Sequence, residues 1–422
     1  MAPIWEVIGG ADKGGILVRT GQALTSAAEK DRLSTGATVE EVELVEGRLR
    51  YRLLEGTGPK EGWVSVKISG KDLLAPKGET SMEKSTASSA AGSGLALGME
   101  DLAAVVGPGA GYRLRLAVNS DDWDPVGGAD GAEFQYLLSL IHEEADRQKV
   151  MKYKQPEDKK RALLSRLLMR AASASALKMT NFRGLTIKRT KGQKPFLASP
   201  LPPKEEAPNW NVNVSHDGAW VVCASEPICI VGIDVADMRR VDKRGNAIDN
   251  FHKTFKAQLT EREWKLVESV GDSLDDQYEV FSRLWSAKEA FVKARGDGLG
   301  FDLGGAEFPS WTPLPEFPKN SAYEGGIVVK GTEAPLWRFV QHKMPGDKPH
   351  WTTVSRGPVD DIVDANGEFK ATLRDPGAER SSERWNAALT EPCPAFHVVP
   401  VAALVPQDDM DGYIRVGGAR WP

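Results

Sequence analysis

The 422-residue chain has few of the side chains that build disulfide frameworks or zinc sites. Its three cysteines are an odd number, and reduced thiols in an intracellular protein are their simplest interpretation. Its six histidines show no metal-ligand spacing, so a zinc site is not expected. The net charge is −5, so the chain lacks the excess of basic residues that is typical of a general nucleic-acid binder.

Long apolar runs are also absent. No stretch approaches the ~18 apolar residues that a membrane span needs. The chain does not open with a basic segment followed by an apolar core, as a secretory signal would. We therefore expect a cytoplasmic protein that binds neither membranes nor nucleic acids. With 41% apolar residues, the chain can fill the cores of two or three domains.

Residues 1–75 have the pattern of a small β module. In the run 48–53, arginines alternate with leucine or tyrosine, which is the period of a half-buried strand. The arginines could bind an anion, although a solvated strand face is the commoner outcome for exposed charge. With the alternating run Gly62-Trp-Val-Ser-Val-Lys-Ile, the layout resembles bacterial-type SH3-like domains. A segment rich in Ser, Ala and Gly then predicts a flexible linker over residues 76–110.

The next region mixes helical and strand periods. Residues 158–170 predict an amphipathic helix with apolar positions 163, 164, 167 and 168. Residues 210–224 predict two strands joined by a turn. Ser215 and His216 are adjacent there, which suggests a nucleophile and its base. However, neighbouring strand residues point to opposite faces, and no G-x-S-x-G motif surrounds the serine. Polar groups that bind a ligand at a strand end are the favoured interpretation.

An acidic residue closes the next apolar run. Residues 228–234 predict a buried strand that ends in Asp234. A carboxylate in such a place loses hydration unless it is paired or coordinated. An aspartate that merely opens a turn is the alternative interpretation.

The segment 281–300 predicts a helix followed by a glycine-rich turn. Leu284, Ala287 and Phe291 form its apolar stripe, and Gly296 suits a left-handed helix stop. Glu289 and Lys293 are one turn apart with the acid first, the better order for an ion pair. Taken alone, the segment is also compatible with an ordinary amphipathic helix carrying a surface ion pair.

The two segments together resemble a known signature. Val231-Gly-Ile-Asp234 followed by Trp285-Ser-Ala-Lys-Glu289-Ala-Phe-Val-Lys293 is similar to the two-part motif of 4′-phosphopantetheinyl transferases. The similarity is to the large monomeric, Sfp-like branch, and most of all to the animal aminoadipate-semialdehyde-dehydrogenase type. It spans roughly residues 120–356. It also includes short segments that end in or contain Arg147, Arg166, Arg189, Asn213 and Leu259.

The resemblance implies a fold and a reaction. The fold is α+β: two similar α+β halves, about 111–227 and 228–356, form a pseudo-twofold pair in a monomer, with coenzyme A and metal in the cleft between them. The reaction moves the phosphopantetheine arm of coenzyme A onto a serine of an apo acyl, peptidyl or polyketide carrier protein and releases adenosine 3′,5′-bisphosphate. Residues 357–422 would be a C-terminal extension of unknown role.

The resemblance also implies roles for individual residues. Asp234 and Glu289 would hold Mg²⁺, Glu289 would take the proton of the carrier serine, and Lys293 would contact the diphosphate. Many family members carry a third acid where this chain has Ala236; water or, less readily, Asp237 would replace it. The residues expected to bind the nucleotide phosphates are Arg147, Arg189, Lys191 and Lys194. Those expected to complete the pocket are Asn213, Ser215 and His216.

Two other functions remain open from the sequence. The chain could be a catalytically inactive scaffold that binds carrier proteins, although the presence of Asp234, Glu289 and Lys293 argues against it. Alternatively, the SH3-like module could dominate through localisation or partner binding. The sequence does not indicate which carrier protein is the substrate.

Overall fold

The structure, a computed structural model, describes residues 3–10, 14–23, 26–45, 47–68, 71–76, 105–107, 109–237, 251–346, 350–375 and 383–419. Most of the predicted linker, residues 76–110, lies outside this set. The chain divides into two compact units, Met1–Ala90 and Ala91–Pro422.

The first unit is built from β-strands. They are β1 (Ile4–Val7), β2 (Thr38–Val45), β3 (Arg48–Glu55), β4 (Glu61–Ser65), β5 (Lys67–Ile68), β6 (Lys71–Asp72) and β7 (Leu74–Pro76). An antiparallel sheet in the order β4-β3-β2-β1-β7 encloses a core of its own. Over its described residues the unit is therefore all-β as predicted, and its SH3-like character stays a prediction.

The strand period predicted for residues 48–53 is confirmed with one exception. Leu49 and Tyr51 are buried, and Arg50 and Arg52 are exposed. Arg48 is not part of an exposed arginine face, because its guanidinium is buried and donates to the Ser65 hydroxyl at 2.8 Å.

The second unit combines helices and strands. Its helices are α1 (Ala132–Ser139), α2 (Glu144–Met151), α3 (Pro156–Ala176), α4 (Phe251–Thr254), α5 (Glu261–Glu268), α6 (Leu274–Arg295), α7 (Glu383–Thr390) and α8 (Met410–Arg415). Its strands are β8 (Arg115–Asn119), β9 (Thr186–Arg189), β10 (Pro195–Ser199), β11 (Asn211–Asp217), β12 (Trp220–Glu226), β13 (Ile230–Asp237), β14 (Ala306–Glu307), β15 (Trp311–Pro313), β16 (Ala322–Gly325), β17 (Val328–Val329), β18 (Thr332–Glu333), β19 (Arg338–Lys343), β20 (His350–Gly357) and β21 (His397–Val398).

Two sheets and two long helices form the centre of this unit. The first sheet has the order β11-β12-β8-β21 and packs against α3; the second has the order β13-β20-β19-β16-β15 and packs against α6. In each half, one strand precedes the long helix and pairs antiparallel with the second strand of a later antiparallel pair. In the first half β8 pairs with β12 of the β11–β12 pair, and in the second β13 pairs with β20 of the β19–β20 pair. This shared connectivity agrees with two similar α+β halves, and their pseudo-twofold relation stays a prediction.

Both long helices follow the predicted patterns. The apolar positions 163, 164, 167 and 168 of α3 are fully buried. Helix α6 begins earlier than predicted, where the Ser273 hydroxyl accepts from the Asp276 amide at the N-cap. It ends at Gly296, whose φ of 85° is the left-handed conformation that glycine tolerates. The predicted stop is confirmed.

The edge strands β11 and β13 run side by side and are joined by side chains rather than by a backbone ladder. Alternate residues of β11 accept hydrogen bonds from alternate backbone amides of β13. The acceptor–donor pairs are Asn211–Val231 and Asn213–Ile233 at 2.9 Å and Asp217–Asp237 at 3.0 Å. These contacts fix the register between the two halves.

The C-terminal extension packs on both halves. Strand β21 adds to the first sheet parallel to β8, and Trp385 and Leu389 of α7 pack on the segment before β13. The fully buried Glu226 carboxylate pairs with Arg115 and, at 2.8 Å, with Arg113, which also contacts Glu391 of the extension. Within the described residues, no helix has the length and apolar character needed to cross a membrane.

Candidate active site

A cavity of about 790 Å³ lies in the second unit, between α2, the β9–β10 turn, β11 and the C-terminal half of α6. Among the described residues that line it, Glu289 is the one carboxylate. Six lining residues are basic: Lys149, Lys152, Arg166, Arg189, Lys194 and Lys293. The cavity is therefore suited to an anionic ligand of several charges.

Helix α6 lies directly on β13, and this contact sets the geometry of the site. A Cβ atom at Gly232 would come 2.0 Å from the Ala290 carbonyl oxygen and 2.5 Å from the Ala294 amide nitrogen. Only glycine permits so close an approach. As a result, the last turns of α6 are held over the middle of β13, where Asp234 lies.

Lys293, Asp234 and Ser215 form one hydrogen-bonded group. The Lys293 ammonium donates to Asp234 Oδ1 at 2.5 Å and to Ser215 Oγ at 2.8 Å. The Ser215 hydroxyl donates to Asp234 Oδ1 at 2.9 Å. Because Ser215 donates to Asp234, the arrangement does not favour the nucleophile–base pair with His216.

One prediction about this group was wrong. Asp234 lies within β13 rather than at its end, because β13 stays paired with β20 as far as Asp237. Lys293 pairs with Asp234 of β13, so the alternative of an ion pair along the helix with Glu289 is not observed. Glu289 and Lys293 line the cavity, and Asp234 is joined to it through Lys293. That these three residues form one catalytic site stays a prediction.

Burial dominates the electrostatics of Asp234. Desolvation raises the pKa of its carboxyl to about 6, the hydrogen-bonded Lys293 ammonium opposes this rise, and the nearby Glu289 charge adds to it. Glu289 is partly exposed at the cavity wall and has no hydrogen-bond or ion-pair partner in the described parts of the chain. A cation between the two carboxylates would offset both burial and repulsion.

The donor set fits Mg²⁺ rather than a soft metal. Asp234 and Glu289 offer carboxylate oxygens, and Mg²⁺ is usually held by one or two carboxylates together with water and substrate phosphates. No group of three or more His, Cys, Asp or Glu side chains that could hold a metal occurs in the described ranges. The remaining ligands would therefore come from water or substrate. The Asp237 carboxylate lies 3.7 Å from His350 Nε2.

Lys194 is at the cavity, but its ammonium is used by the fold. It is buried and donates to the carbonyl oxygens of Val231 at 3.0 Å and Lys293 at 2.8 Å. Burial and the Lys293 charge lower the pKa of Lys194 to about 7. This geometry favours a brace between β13 and α6, and phosphate binding by Lys194 stays a prediction.

Two arginines of the cavity are gathered by a carboxylate that the sequence did not single out. The buried Asp146 carboxylate lies 3.7 Å from Arg166 Nε and from Arg189 Nη2, and 3.6 Å from Arg170 Nη2. At these distances it attracts the guanidinium groups without engaging them in hydrogen bonds. Arg189 was predicted; Arg166 had appeared only as part of a helical motif.

Asn213 and His216 both line the cavity, as predicted for the pocket. The Asn213 side-chain oxygen accepts a hydrogen bond from the Ile233 backbone amide, across the contact between β11 and β13. Burial and the neighbouring Lys293 and Arg161 charges lower the pKa of His216 to about 4. The imidazole is therefore neutral near pH 7, and it can donate a hydrogen bond to a phosphate but not a charge.

Arg147 and Lys191 are not among the residues that line the cavity. The Arg147 guanidinium pairs with Glu144 and donates to the Ile141 carbonyl at 2.7 Å, and Lys191 is exposed on the β9–β10 turn. Sequence reasoning instead missed Lys149 and Lys152, which line the cavity and have no ion-pair partner in the described residues. The basic run 149–154 was the available signal.

A cationic cavity with one carboxylate at its wall, and with a lysine of its wall paired to a second, buried carboxylate, is typical of an enzyme that acts on a phosphorylated substrate. Comparison with known proteins makes the class specific. A family model described as 4′-phosphopantetheinyl transferase, N-terminal, matches residues 121–228, and one for the 4′-phosphopantetheinyl transferase superfamily matches residues 230–353.

Individual relatives agree with the family models. The chain is 32% identical over 242 residues to the L-aminoadipate-semialdehyde dehydrogenase-phosphopantetheinyl transferase of Mus musculus, covering 57% of this chain and 74% of the relative. The corresponding Homo sapiens protein is 31% identical over the same shares. A 4′-phosphopantetheinyl transferase of Bacillus subtilis is 30% identical over 175 residues, 41% of this chain and 67% of the relative. The chain belongs to the 4′-phosphopantetheinyl transferase family, and the predicted resemblance is confirmed.

Proposed function

We propose that this enzyme transfers the 4′-phosphopantetheine arm of coenzyme A to a serine of an apo acyl, peptidyl or polyketide carrier protein and releases adenosine 3′,5′-bisphosphate in a Mg²⁺-dependent reaction. The observation that carries the proposal is the group formed by Lys293, Asp234 and Ser215 at the cationic cavity, close to Glu289, which has no partner among the described residues. This arrangement brings Glu289, which can accept a proton, close to the Lys293 ammonium, which can bind a diphosphate.

The basic residues would bind the nucleotide end of coenzyme A. Arg166 and Arg189, held in place by Asp146, present guanidinium groups that suit phosphate oxygens. Lys149 and Lys152 add exposed ammonium groups at the rim. Neutral His216 would donate a hydrogen bond to a phosphate oxygen.

Asp234 and Glu289 would hold the metal ion. When bound, Mg²⁺ would neutralise charge on the diphosphate oxygens and so ease attack by a nucleophile. Both carboxylates belong to the rigid elements β13 and α6, and Gly232 keeps those elements in direct contact. Positioning of this kind supplies most of the catalysis in phosphoryl-type transfer, where the protein has little covalent chemistry to do.

The transfer step then needs one base and one cation. The carrier serine oxygen attacks the phosphorus that bears the pantetheine arm, and its proton passes to Glu289 directly or through a water molecule. A new serine O–P bond forms as the P–O bond to the nucleotide's phosphate breaks. The Lys293 ammonium, one helical turn from Glu289, offsets the charge that develops on the departing adenosine 3′,5′-bisphosphate.

We also infer that the halves 111–227 and 228–356 form the pseudo-twofold pair of this family and that one chain is a complete enzyme. The shared order of strands and long helix in the two sheets supports the first inference. The second is supported by the cavity, whose described lining comes from both halves of a single chain.

The test is incubation of the full chain with coenzyme A, Mg²⁺ and a panel of apo acyl, peptidyl and polyketide carriers, read by intact mass. A carrier that gains one phosphopantetheine group identifies the substrate class. No mass gain on any carrier would overturn the proposal in favour of a binding scaffold. Glu289→Gln should abolish transfer and leave coenzyme A binding largely intact, since Glu289 makes no hydrogen bond on which the described fold depends.

A further inference from the structure

Lys293 occupies an unusual position for a residue expected to contact a substrate phosphate. Its ammonium lies 2.5 Å from Asp234 Oδ1 and 2.8 Å from Ser215 Oγ, on the carboxylate that would bind the metal. Asp234 is 6% exposed, so few other positive groups can reach it. In the absence of substrate, the lysine thus neutralises the buried acid.

The same ammonium has a route to the cavity. The Lys293 side chain is 30% exposed and lines the cavity together with Glu289 and His216. Its four-carbon stem is flexible, so the ammonium can leave Asp234 without movement of helix α6. A substrate anion in the cavity would attract it, and the buried Asp234 would then keep the Ser215 hydroxyl but lack a cationic partner.

We propose that Lys293 is a placeholder for the divalent cation: its ammonium holds Asp234 in the substrate-free enzyme and gives way to the metal when coenzyme A draws the lysine into the cavity. This inference rests on the proposed function, because that function makes Asp234 a metal ligand. Asp234 has a positive partner both before and after the exchange, because the divalent cation takes the place of the monovalent ammonium. The exchange couples loading of the metal to delivery of Lys293 to the diphosphate.

The placeholder makes a prediction that a purely phosphate-binding lysine does not make. If the ammonium competes with the metal for Asp234, its removal must strengthen metal binding in the absence of any substrate. A cation within hydrogen-bond distance lowers the affinity of a carboxylate for a proton by about 10- to 1,000-fold. The same electrostatic repulsion should lower the affinity of the carboxylate for a metal ion. We therefore expect Lys293→Met to bind a divalent cation at least about tenfold more tightly than the wild type, in the lower part of that range.

The experiment is titration of the full chain with Mn²⁺, followed by electron paramagnetic resonance of the free ion, with and without coenzyme A. Lys152→Met is the matched control, because it removes one positive charge from the same cavity without touching Asp234. Its affinity for Mn²⁺ without coenzyme A should rise by less than about threefold, as expected for a solvent-screened charge. Asp234→Asn should bind Mn²⁺ weakly with or without Lys293.

Thermal unfolding provides a second measurement that does not depend on activity. Without metal, Lys293→Met leaves the buried Asp234 with the Ser215 hydroxyl but without a cationic partner, and the variant should melt below the wild type. Mn²⁺ should recover much of that loss in the variant and change the wild type little, since a ligand stabilises the state that binds it more tightly. Folding of the variant is verified by the cooperativity of the same transition.

Three outcomes separate this inference from the function on which it rests. Equal Mn²⁺ affinity of Lys293→Met and Lys152→Met without coenzyme A would overturn the placeholder, because lysine and cation would then use different positions. Failure of the wild type to bind Mn²⁺ even with coenzyme A would instead overturn Asp234 as a metal ligand. Tighter binding by Lys293→Met alone, lost on addition of Asp234→Asn, is the expected result.

Discussion

Gly232 offers a sharp test of the contact between β13 and α6. In Gly232→Ala, the new Cβ would lie 2.0 Å from the Ala290 carbonyl oxygen, 2.5 Å from the Ala294 amide nitrogen and 2.8 Å from the Ala294 Cβ. All three neighbours are backbone or a short side chain, so none can turn away. The shortest of these contacts must lengthen by about 1.4 Å to reach an ordinary separation near 3.4 Å, so helix α6 must move by a similar distance.

This movement should reduce both stability and activity. Insertion of a methyl group into a filled contact costs about 1–3 kcal/mol of unfolding free energy, a loss of several degrees in melting temperature for a protein of this size. The displacement also carries Glu289 and Lys293 away from Asp234. Because a misplacement of about 1 Å can cost roughly 100-fold in rate, kcat for phosphopantetheine transfer should fall by one to two orders of magnitude, about 10- to 100-fold.

The assay is thermal unfolding together with steady-state transfer to a carrier protein. Gly326→Ala is the control, because a Cβ at Gly326 would have no atom within 4 Å and its φ is not in the left-handed region. That variant should match the wild type in melting temperature and kcat. If Gly232→Ala also matched the wild type in both, α6 would not depend on direct contact with β13, and the account of the site geometry would be refuted.

Three further predictions concern charge. In Asp234→Asn, measured without metal, the free energy of unfolding should rise relative to the wild type as pH increases from 3.8 to about 6. Burial raises the pKa of Asp234 in the folded state, so in this interval the carboxyl ionises more readily in the unfolded chain and the wild type loses stability. A difference that is independent of pH would contradict this. Glu226→Gln should lower the free energy of unfolding by about 3–5 kcal/mol, because the guanidinium groups of Arg113 and Arg115 would lose the carboxylate that they share. The control Glu261→Gln removes an exposed ion pair and should leave the free energy of unfolding unchanged within error. The double variant Lys149→Gln/Lys152→Gln should raise KM for coenzyme A, leave kcat nearly unchanged and reduce the dependence of KM on salt; a fall in kcat at saturating coenzyme A would place these lysines in the chemical step.

The parts of the site that lie on periodic elements could be predicted from sequence. The helical period of residues 281–295 and the glycine after it identify α6, its buried face and its end. Asp234 stands out because a carboxylate interrupts an apolar strand. These signals are local, and each depends on residues close together in the chain.

Pairing across elements was less predictable. Helical spacing alone leaves Glu289 open as a partner of Lys293, because residues four apart on a helix are neighbours. In the structure, Lys293 forms an ion pair with Asp234, which is 59 residues away in the sequence. Nothing in the helical pattern shows that Gly232 lets α6 lie so close to β13, because a glycine in a strand has several explanations.

The basic residues predicted to bind phosphate could not be told apart by charge alone. Arg147, Arg189, Lys191 and Lys194 all lie in basic segments, yet the structure uses them differently. Arg189 lines the cavity, Arg147 pairs with its own helix, Lys191 is exposed, and Lys194 braces backbone carbonyls. Whether a basic side chain reaches a cavity depends on the rotation and depth of its element, which the sequence does not display.

The contact between the edge strands β11 and β13, here called the strand seam, explains how Asp234 can be placed accurately without being at a strand end. Side chains of β11 point alternately to the seam and away from it, so Asn211, Asn213 and Ser215 face β13 while His216 belongs to the opposite set. The amides of β13 need acceptors because β13 is an edge strand. Valines at 212 and 214 provide none, so a slip by one residue would leave those amides unpaired. The register that satisfies them is the one that sets Ser215 against Asp234, and a polar motif expected only to bind coenzyme A thereby also positions the acid of the site.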